Sequence, residues 1–262
     1  MDKAKLQARV DEIQWCHSIN LGDGIVTPGL SKTKPLSDRE LPDLSGKSVL
    51  DIGAWDGLNS FLAEQKGAAR VVALDHYAWG VDMARRNVYW DECRKNKRFP
   101  DYRFDETLFW DASLPGKAGF DLAKEVLGSK VESKVGDFMK LTAEEVGVFD
   151  VVFFLGVLYH LRDPLGALEK VRSFTKEVAV IETSAVVVPG HEGESLIRYY
   201  PADELEGDFG NYFGPSEEAL ASMLKSVGFS RTMTIVGPAK VKTSIFRKSA
   251  TQIYRLLVHA FV

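Results

Sequence analysis

Residues 49–57 read "VLDIGAWDG", and the fold turns on that stretch. Val49, Leu50 and Ile52 form a short apolar run interrupted by Asp51, and Gly53 and Gly57 follow around Trp55. Such a run, bounded by turn residues, predicts a strand buried on both faces. Working outward, the same alternation recurs. Strands are expected at 49–52, 71–74, 133–135, 149–155 and 178–181, with helices at 58–66, 81–93, 164–174 and 216–227, the last closed by Gly228. Residues 232–236 and 252–259 read as a final strand pair. The pattern predicts an α/β fold: a doubly wound, seven-stranded, mostly parallel sheet with an antiparallel last strand.

Upstream, Leu6, Val10, Ile13 and Ile19 recur at roughly helical spacing, so residues 3–19 predict a helix. A Gly-, Pro- and Asp-rich stretch then predicts a long loop. We therefore expect residues 1–45 to be an N-terminal helix and loop covering the active site. Residues 46–262 form the catalytic domain, with insertions at about 97–130 and 184–214. No internal repeat is present.

The chain of 262 residues is long enough to bury a sizeable core, and 45% hydrophobic with 27% charged residues fits an ordinary globular protein. A net charge of −4 argues against a large phosphate-gripping surface. Cys16 and Cys93 are too far apart for a metal motif, so no metal is expected, and a disulfide framework is not either. The charged start "MDKAKLQARVDEIQ" does not read as a secretory signal, and no apolar run reaches membrane-spanning length. A cytoplasmic enzyme is expected. The oligomeric state is not legible.

Ligands of open α/β sheets bind beyond the carboxyl ends of the strands. Gly53 and Gly57 would let backbone pass close to a ligand there, and Asp75 ends the next strand, where a carboxylate can accept ribose hydroxyls. A dinucleotide loop needs glycine at position 55, because the pyrophosphate lies against that backbone. Trp55 stands there, and Asp51 and Asp56 would repel phosphate. An acidic loop suits a cationic nucleoside such as S-adenosylmethionine (SAM). Gly136–Phe138 would complete the site, with Asp137 on the adenine amino group and Phe138 beside the ring. The plainer alternative is a tight turn at the glycines and a helix cap at Asp137.

The run "FFLGVLYHLRDPLGALEKV" follows the fourth strand. Leu155 would lie at the sulfonium end of the cofactor, with Tyr159 framing the methyl group or simply packing. His160 could act as general base, or could bond backbone at the start of the next helix. Asp163 and Pro164 suit the N-cap and first helical position.

The runs "GVLYHLRDPL", "WCHSINLGDGIVTPG" and "VLDIGAWDG", with "RYYPADELEGDFGNYFGPS" later on, resemble the bacterial methyltransferase family related to the tRNA wobble-uridine carboxymethyltransferase. The resemblance implies a class I Rossmann-like fold and a SAM-type cofactor. By position it implies that Gly53, Asp75, His76, Asp137 and Phe138 line the nucleoside, and that Leu155 and Tyr159 line the sulfonium end. The carboxymethylating member uses carboxy-SAM. It is expected to hold the extra carboxylate with a lysine, a tyrosine and a late arginine. The tyrosine matches Tyr159, the lysine position reads His17, and no arginine of "QIYRLLVHAFV" is assigned. Ordinary SAM is therefore preferred to carboxy-SAM.

On the acceptor side, Arg198, Tyr200, Asn211 and Tyr212 interleave aromatic and polar groups that suit a flat or sugar-like molecule, or stacked RNA bases, or merely a cluster under long loops. If the acceptor is a hydroxyl, His17 or His160 could remove its proton. The basic run at 240–248 reads as a solvated face, or as a tRNA-contacting patch. Methyl transfer from SAM to an unidentified acceptor, a small molecule in preference to tRNA, is the expectation. The alternatives are carboxymethyl transfer to tRNA, a dehydrogenase, and a non-catalytic SAM-binding protein.

Overall fold

In the computed structural model, which describes residues 2–238 and 251–262, every predicted apolar run of the sheet becomes a strand. Among the described residues seven strands form a mostly parallel α/β sheet, and two small hairpins stand apart from it. The basic run at 240–248 lies outside the described residues. The chain falls into two compact units, residues 1–38 with 43–140 and residues 39–42 with 141–262.

The first unit opens with α1 (Lys3–Asp11), which buries Leu6 and Val10. It is shorter than the spacing predicts. The buried Trp15 donates its indole N–H to the Val10 carbonyl at 3.0 Å, an acceptor that a continuing helix would have used. The predicted loop contains a hairpin, β1 (Asn20–Gly22) and β2 (Ile25–Val26), turned at Asp23 and Gly24 with φ of 50° and 75°. Two left-handed residues of this kind make the turn that matches strand twist.

Next come β3 (Ser48–Ile52), α2 (Leu58–Gln65) and β4 (Arg70–Asp75). The helix predicted at 81–93 is α4 (Met83–Lys95), and a one-turn α3 (Tyr77–Gly80) that was not predicted precedes it. A Cβ on Gly80 would sit 2.3 Å from the Trp110 indole nitrogen, and Val81 bridges Trp110 in extended form. The chain therefore breaks there and restarts at Asp82, whose side chain accepts from Arg85 N–H at 2.9 Å. The unit ends with α5 (Phe104–Thr107), α6 (Ala118–Leu127) and β5 (Glu132–Val135). Strands β3, β4 and β5 pair in parallel, with Leu50 beside Val72 and Leu74 beside Lys134.

The second unit contains α7 (Ala143–Val146), β6 (Phe149–Leu155), α8 (Pro164–Phe174) and β7 (Thr175–Val187). It continues with β8 (Ile197–Tyr199), β9 (Phe213–Pro215), α9 (Glu217–Ser226), β10 (Arg231–Val236) and β11 (Gln252–Phe261). Asp163 caps α8 by accepting from Gly166 N–H at 2.9 Å, with Pro164 in its first turn. The fifth strand is longer than predicted, because β11 pairs with it antiparallel from Phe261 beside Val178 to Gln252 beside Val187. β10 pairs antiparallel with β11, and β6 parallel with β7. β8 and β9 form a separate hairpin inside the predicted second insertion.

Candidate functional site

In the first unit, the carboxyl ends of β3 and β4 gather buried acids. Asp51 accepts from the Ser60 hydroxyl at 2.5 Å. Asp75 accepts from the backbone N–H of Trp55 at 2.9 Å and of Ala78 at 3.0 Å. Asp56 accepts from the backbone N–H of Cys16 at 2.7 Å and His17 at 2.8 Å, fastening the N-terminal segment to the glycine loop. Burial pushes each of these carboxyls up to about 6, and the Asp75 charge adds to the rise at Asp51 and Asp56. Their partners are backbone N–H groups and one hydroxyl, with no lysine or arginine among them.

Trp55 holds the loop in an unusual form. Its φ of 46° is left-handed, its carbonyl accepts from the Trp79 indole at 2.7 Å, and its ring meets His17 edge-on at 6.2 Å. Gly57, at φ 84°, is required twice over, since a Cβ would lie 2.6 Å from Phe61 and 2.8 Å from Phe120. Gly53 is exposed with φ 78°.

Burial lowers His17 to about 4, so the ring is neutral at neutral pH. Its Nδ1 stands 3.6 Å from Asp56 Oδ2, which at that charge state is not an ion pair, and has no hydrogen-bond partner among the described residues. His76 is stacked on Trp110 at 4.6 Å. Asp137 accepts from Met139 N–H at 3.0 Å and pairs with Lys140 at 3.1 Å, with no helix beginning there for it to cap among the described residues, and Phe138 is buried.

In the second unit, β6 ends at the half-buried Leu155, and Leu158–His160 makes a short 3-10 turn. Tyr159 is buried in an apolar cluster with Val186, Tyr200 and Leu205. His160 is exposed, tilts against Tyr159 at 4.2 Å, and has Nδ1 3.0 Å from the Gly210 carbonyl. The later segment is tied to that turn through backbone. Tyr212 N–H donates to the Tyr159 carbonyl and Tyr200 N–H to the Tyr212 carbonyl, each at 2.8 Å. Arg198 covers the Tyr200 ring at 4.9 Å, and Asn211 donates to the Leu205 carbonyl at 2.8 Å. The Tyr200 hydroxyl, Asn211 Oδ1 and Ser184 Oγ are buried and have no hydrogen-bond partner among the described residues.

Two residues here escaped the sequence reading. Glu182 of β7 and Arg255 of β11 form a two-point ion pair, with Nη2 2.8 Å from Oε2 and Nε on Oε1. The guanidinium lies 4.9 Å from the Tyr159 ring centre. The one available signal was an acid and an arginine inside apolar strands, "VAVIETSAVVV" and "QIYRLLVHAFV". Among the described residues no group of three His, Cys, Asp or Glu could hold a metal ion, and no helix is long and apolar enough to cross a membrane.

A family model described as "Methyltransferase domain" matches residues 31–232. The tRNA U34 carboxymethyltransferase of Haemophilus influenzae (strain PittEE) is 25% identical over 201 residues, covering 76% of this chain and 50% of that protein. The chain thus spans half the length of this curated relative. The crystal structure of the N-terminal domain of EvdMO1 in the presence of SAH and D-fucose matches with a TM-score of 0.64 and 16% identity, over 100% of this chain and 97% of that one. The same domain with SAH bound matches with a TM-score of 0.63 and 19% identity, over the same shares. At those identities the likeness is one of fold.

Proposed function

We propose a donor and an acceptor from one premise: the chain belongs to the family of methyltransferase domains. The donor is SAM, and the reaction is methyl transfer to a hydroxyl of a small, sugar-like molecule. The observation that carries the donor is the set of three buried carboxyls, Asp51, Asp56 and Asp75, each raised to about 6 by burial and, among the described residues, held by backbone N–H groups and a hydroxyl in place of a lysine or arginine. Such a set favours a cationic ligand over a phosphate, and Trp55 stands where a dinucleotide loop requires glycine. The residues present therefore fit SAM.

In this reading Asp51, Gly53 and Gly57 receive the methionine end, Asp75 and His76 the ribose, and Asp137 and Phe138 the adenine. Leu155 and Tyr159 border the sulfonium. SAM supplies a methyl group already activated by its positive sulfur. The protein's own task is then alignment and exclusion of water. Residues 1–45 act as a cover and residues 46–262 as the catalytic domain, and a cytoplasmic location fits both.

The acceptor assignment rests on the second unit. Three buried polar atoms without partners among the described residues, on Ser184, Tyr200 and Asn211, are unusual in a folded protein and are satisfied when a ligand or water supplies the missing bonds. Arg198 and Tyr212 add polar and aromatic surface. The solved N-terminal domain of EvdMO1, crystallised with D-fucose, lends support to a sugar. His160, exposed beside Tyr159 with Nδ1 3.0 Å from the Gly210 carbonyl, is the first candidate base for the hydroxyl proton. His17, neutral across the physiological range, is the second candidate base.

Incubation of the protein with methyl-labelled SAM and fractionated cell extract tests this. Label in a low-molecular-weight hydroxylated product is expected. Label in tRNA would replace the acceptor by RNA, the reading favoured by the similarity to the Haemophilus influenzae enzyme. SAM binding without transfer to any fraction would make this a SAM-binding protein without catalysis.

A further inference from the structure

The far end of α4 carries a cluster that methyl transfer leaves unused, and it lies wholly within the first unit. Residues 94–103 hold five cations, Arg94, Lys95, Lys97, Arg98 and Arg103, against one acid, Asp101, in a chain whose net charge is −4; Asp105 and Glu106 follow. Arg94 and Lys95 sit in the last helical turn, where cations suit the helix dipole. That plain reason does not extend to Lys97 and Arg98, which stand beyond the helix.

Local chemistry folds this segment into a cleft. Lys97 adopts a left-handed φ of 51°, the usual place of a glycine after a helix, and Arg98 N–H then donates to the Cys93 carbonyl at 3.0 Å. The returning chain is pinned by Tyr89, whose hydroxyl accepts from Asp101 N–H at 2.9 Å and whose ring packs on Phe104 at 5.3 Å. Helix and returning chain line an open cleft of about 560 Å³, a volume typical of small-ligand sites. Phe99 and Tyr102 line it with 66% and 51% of their surface exposed. Arg98 lines it too, its guanidinium 5.2 Å from the Tyr89 ring centre and donating to the Tyr89 hydroxyl at a long 3.4 Å. Among the described residues no carboxylate pairs with Arg98. Arg103, by contrast, is neutralised by Asp101, with Nε 2.8 Å from Oδ1 and Nη2 2.5 Å from Oδ2.

We propose that this cleft is a binding site for a free nucleoside phosphate, with the base stacked on Phe99 and Tyr102 and the phosphate on the Arg98 fork. Exposed rings stack on flat bases of any identity, and a guanidinium fork matches a phosphate. An acidic peptide or an inorganic anion would use the fork and leave the rings in water. The acids at the ends of β3 and β4 give the donor site the opposite sign, which repels phosphate. α4 has 13 residues and is therefore about 20 Å long, and it starts soon after β4, so its far end stands apart from those acids. The inference does not depend on SAM being the donor.

Calorimetric titration of the full chain with ADP and with UDP, at roughly 150 mM salt and with or without saturating SAH, tests this. Each nucleotide is expected to bind about tenfold or more tightly than its nucleoside or pyrophosphate alone, and equally with and without SAH. Phe99→Ala should weaken ADP about tenfold and leave pyrophosphate unchanged, since it removes only a stacking face. Arg98→Gln should weaken ADP and pyrophosphate and leave adenosine unchanged. Both side chains are exposed, so melting temperatures should stay at the wild-type value. Absence of nucleotide binding overturns the proposal, as does binding that neither variant changes. Binding abolished by SAH overturns it too, because the nucleotide would then occupy the donor site. A single-stranded oligouridylate that binds more tightly than UDP, with a steep loss on raising the salt, would replace the free nucleotide by a nucleic-acid strand. Failure of SAH to bind would sink the SAM reading and leave this inference standing.

Discussion

Asp75 illustrates how a single residue carries two demands. Its oxygens accept from Trp55 and Ala78, so the carboxylate builds the loop that it is also proposed to serve. Asp75→Asn retains one acceptor oxygen and removes the charge. It should weaken SAM binding by about 1–3 kcal/mol with a modest change in melting temperature. Asp75→Ala should lose the same affinity and also stability, because two backbone donors lose their acceptor. Unchanged calorimetric affinity in both variants would remove Asp75 from the ribose. The raised carboxyls give a second expectation. Their folded-state pKa of about 6 lies above the ordinary value, so their contribution to folding is fullest at low pH and is lost as pH rises through 6. A cationic ligand reverses the sign, since it binds the ionised form. SAM binding near pH 6 should therefore release protons, seen as buffer-dependent binding heats, and affinity should fall between pH 7.5 and pH 5. His17, already neutral above about 4, cannot be the source of those protons. Heats independent of buffer would show that the acids do not sense the ligand.

At the scale of elements, the strands and their terminal acids were legible because buried parallel strands announce themselves as unbroken apolar runs. Asp51, Asp75 and Asp137 could be placed at strand ends from "VLDIG", "VALD" and "GDF" alone. What could not be read depends on partners distant in the chain. The break between α3 and α4 follows from Trp110 against Gly80, and the Glu182–Arg255 pair from the register of β7 with β11. The β1–β2 hairpin was in principle legible from Asp23 and Gly24, a turn pair for which φ is positive at both positions. The loop before α2 allows the packing claim to be tested. Gly57→Ala meets both a left-handed backbone and two phenylalanine rings, whereas Gly46→Ala, at φ 69°, meets nothing within 4 Å. Gly46→Ala should cost about 1–2 kcal/mol for the backbone alone. Gly57→Ala should cost a further 1–3 kcal/mol, roughly, for the overpacking. Urea melts of the two variants measure the difference, and equal losses would mean that the Phe61–Phe120 stack yields.

The whole molecule bears on the choice of acceptor. With 33 Lys and Arg against 37 Asp and Glu, the summed field does not attract a polyanion. Several of the exposed cations are also paired, as in Arg9 with Glu125, Arg70 with Glu132 and Lys176 with Asp150. A tRNA acceptor would need a local basic surface strong enough to overcome this, and its grip would weaken steeply with salt. The run at 240–248, with Lys240, Lys242, Arg247 and Lys248 close together, is a stretch of sequence basic enough to supply it, as is the run of Arg94, Lys95, Lys97 and Arg98. Filter binding of unfractionated tRNA in the presence of SAH should therefore give a dissociation constant no tighter than about 10 µM at 150 mM salt, as for non-specific contact. Replacing Lys240, Lys242, Arg247 and Lys248 by glutamine should leave methyl transfer to the small-molecule fraction unchanged. Tight retention of tRNA at 150 mM salt, with a steep loss on raising the salt that the four glutamines flatten, would instead make that run the docking surface of an RNA enzyme. The acidic balance would then be overcome locally, and the sugar-like acceptor would give way to a nucleotide at the end of a stem.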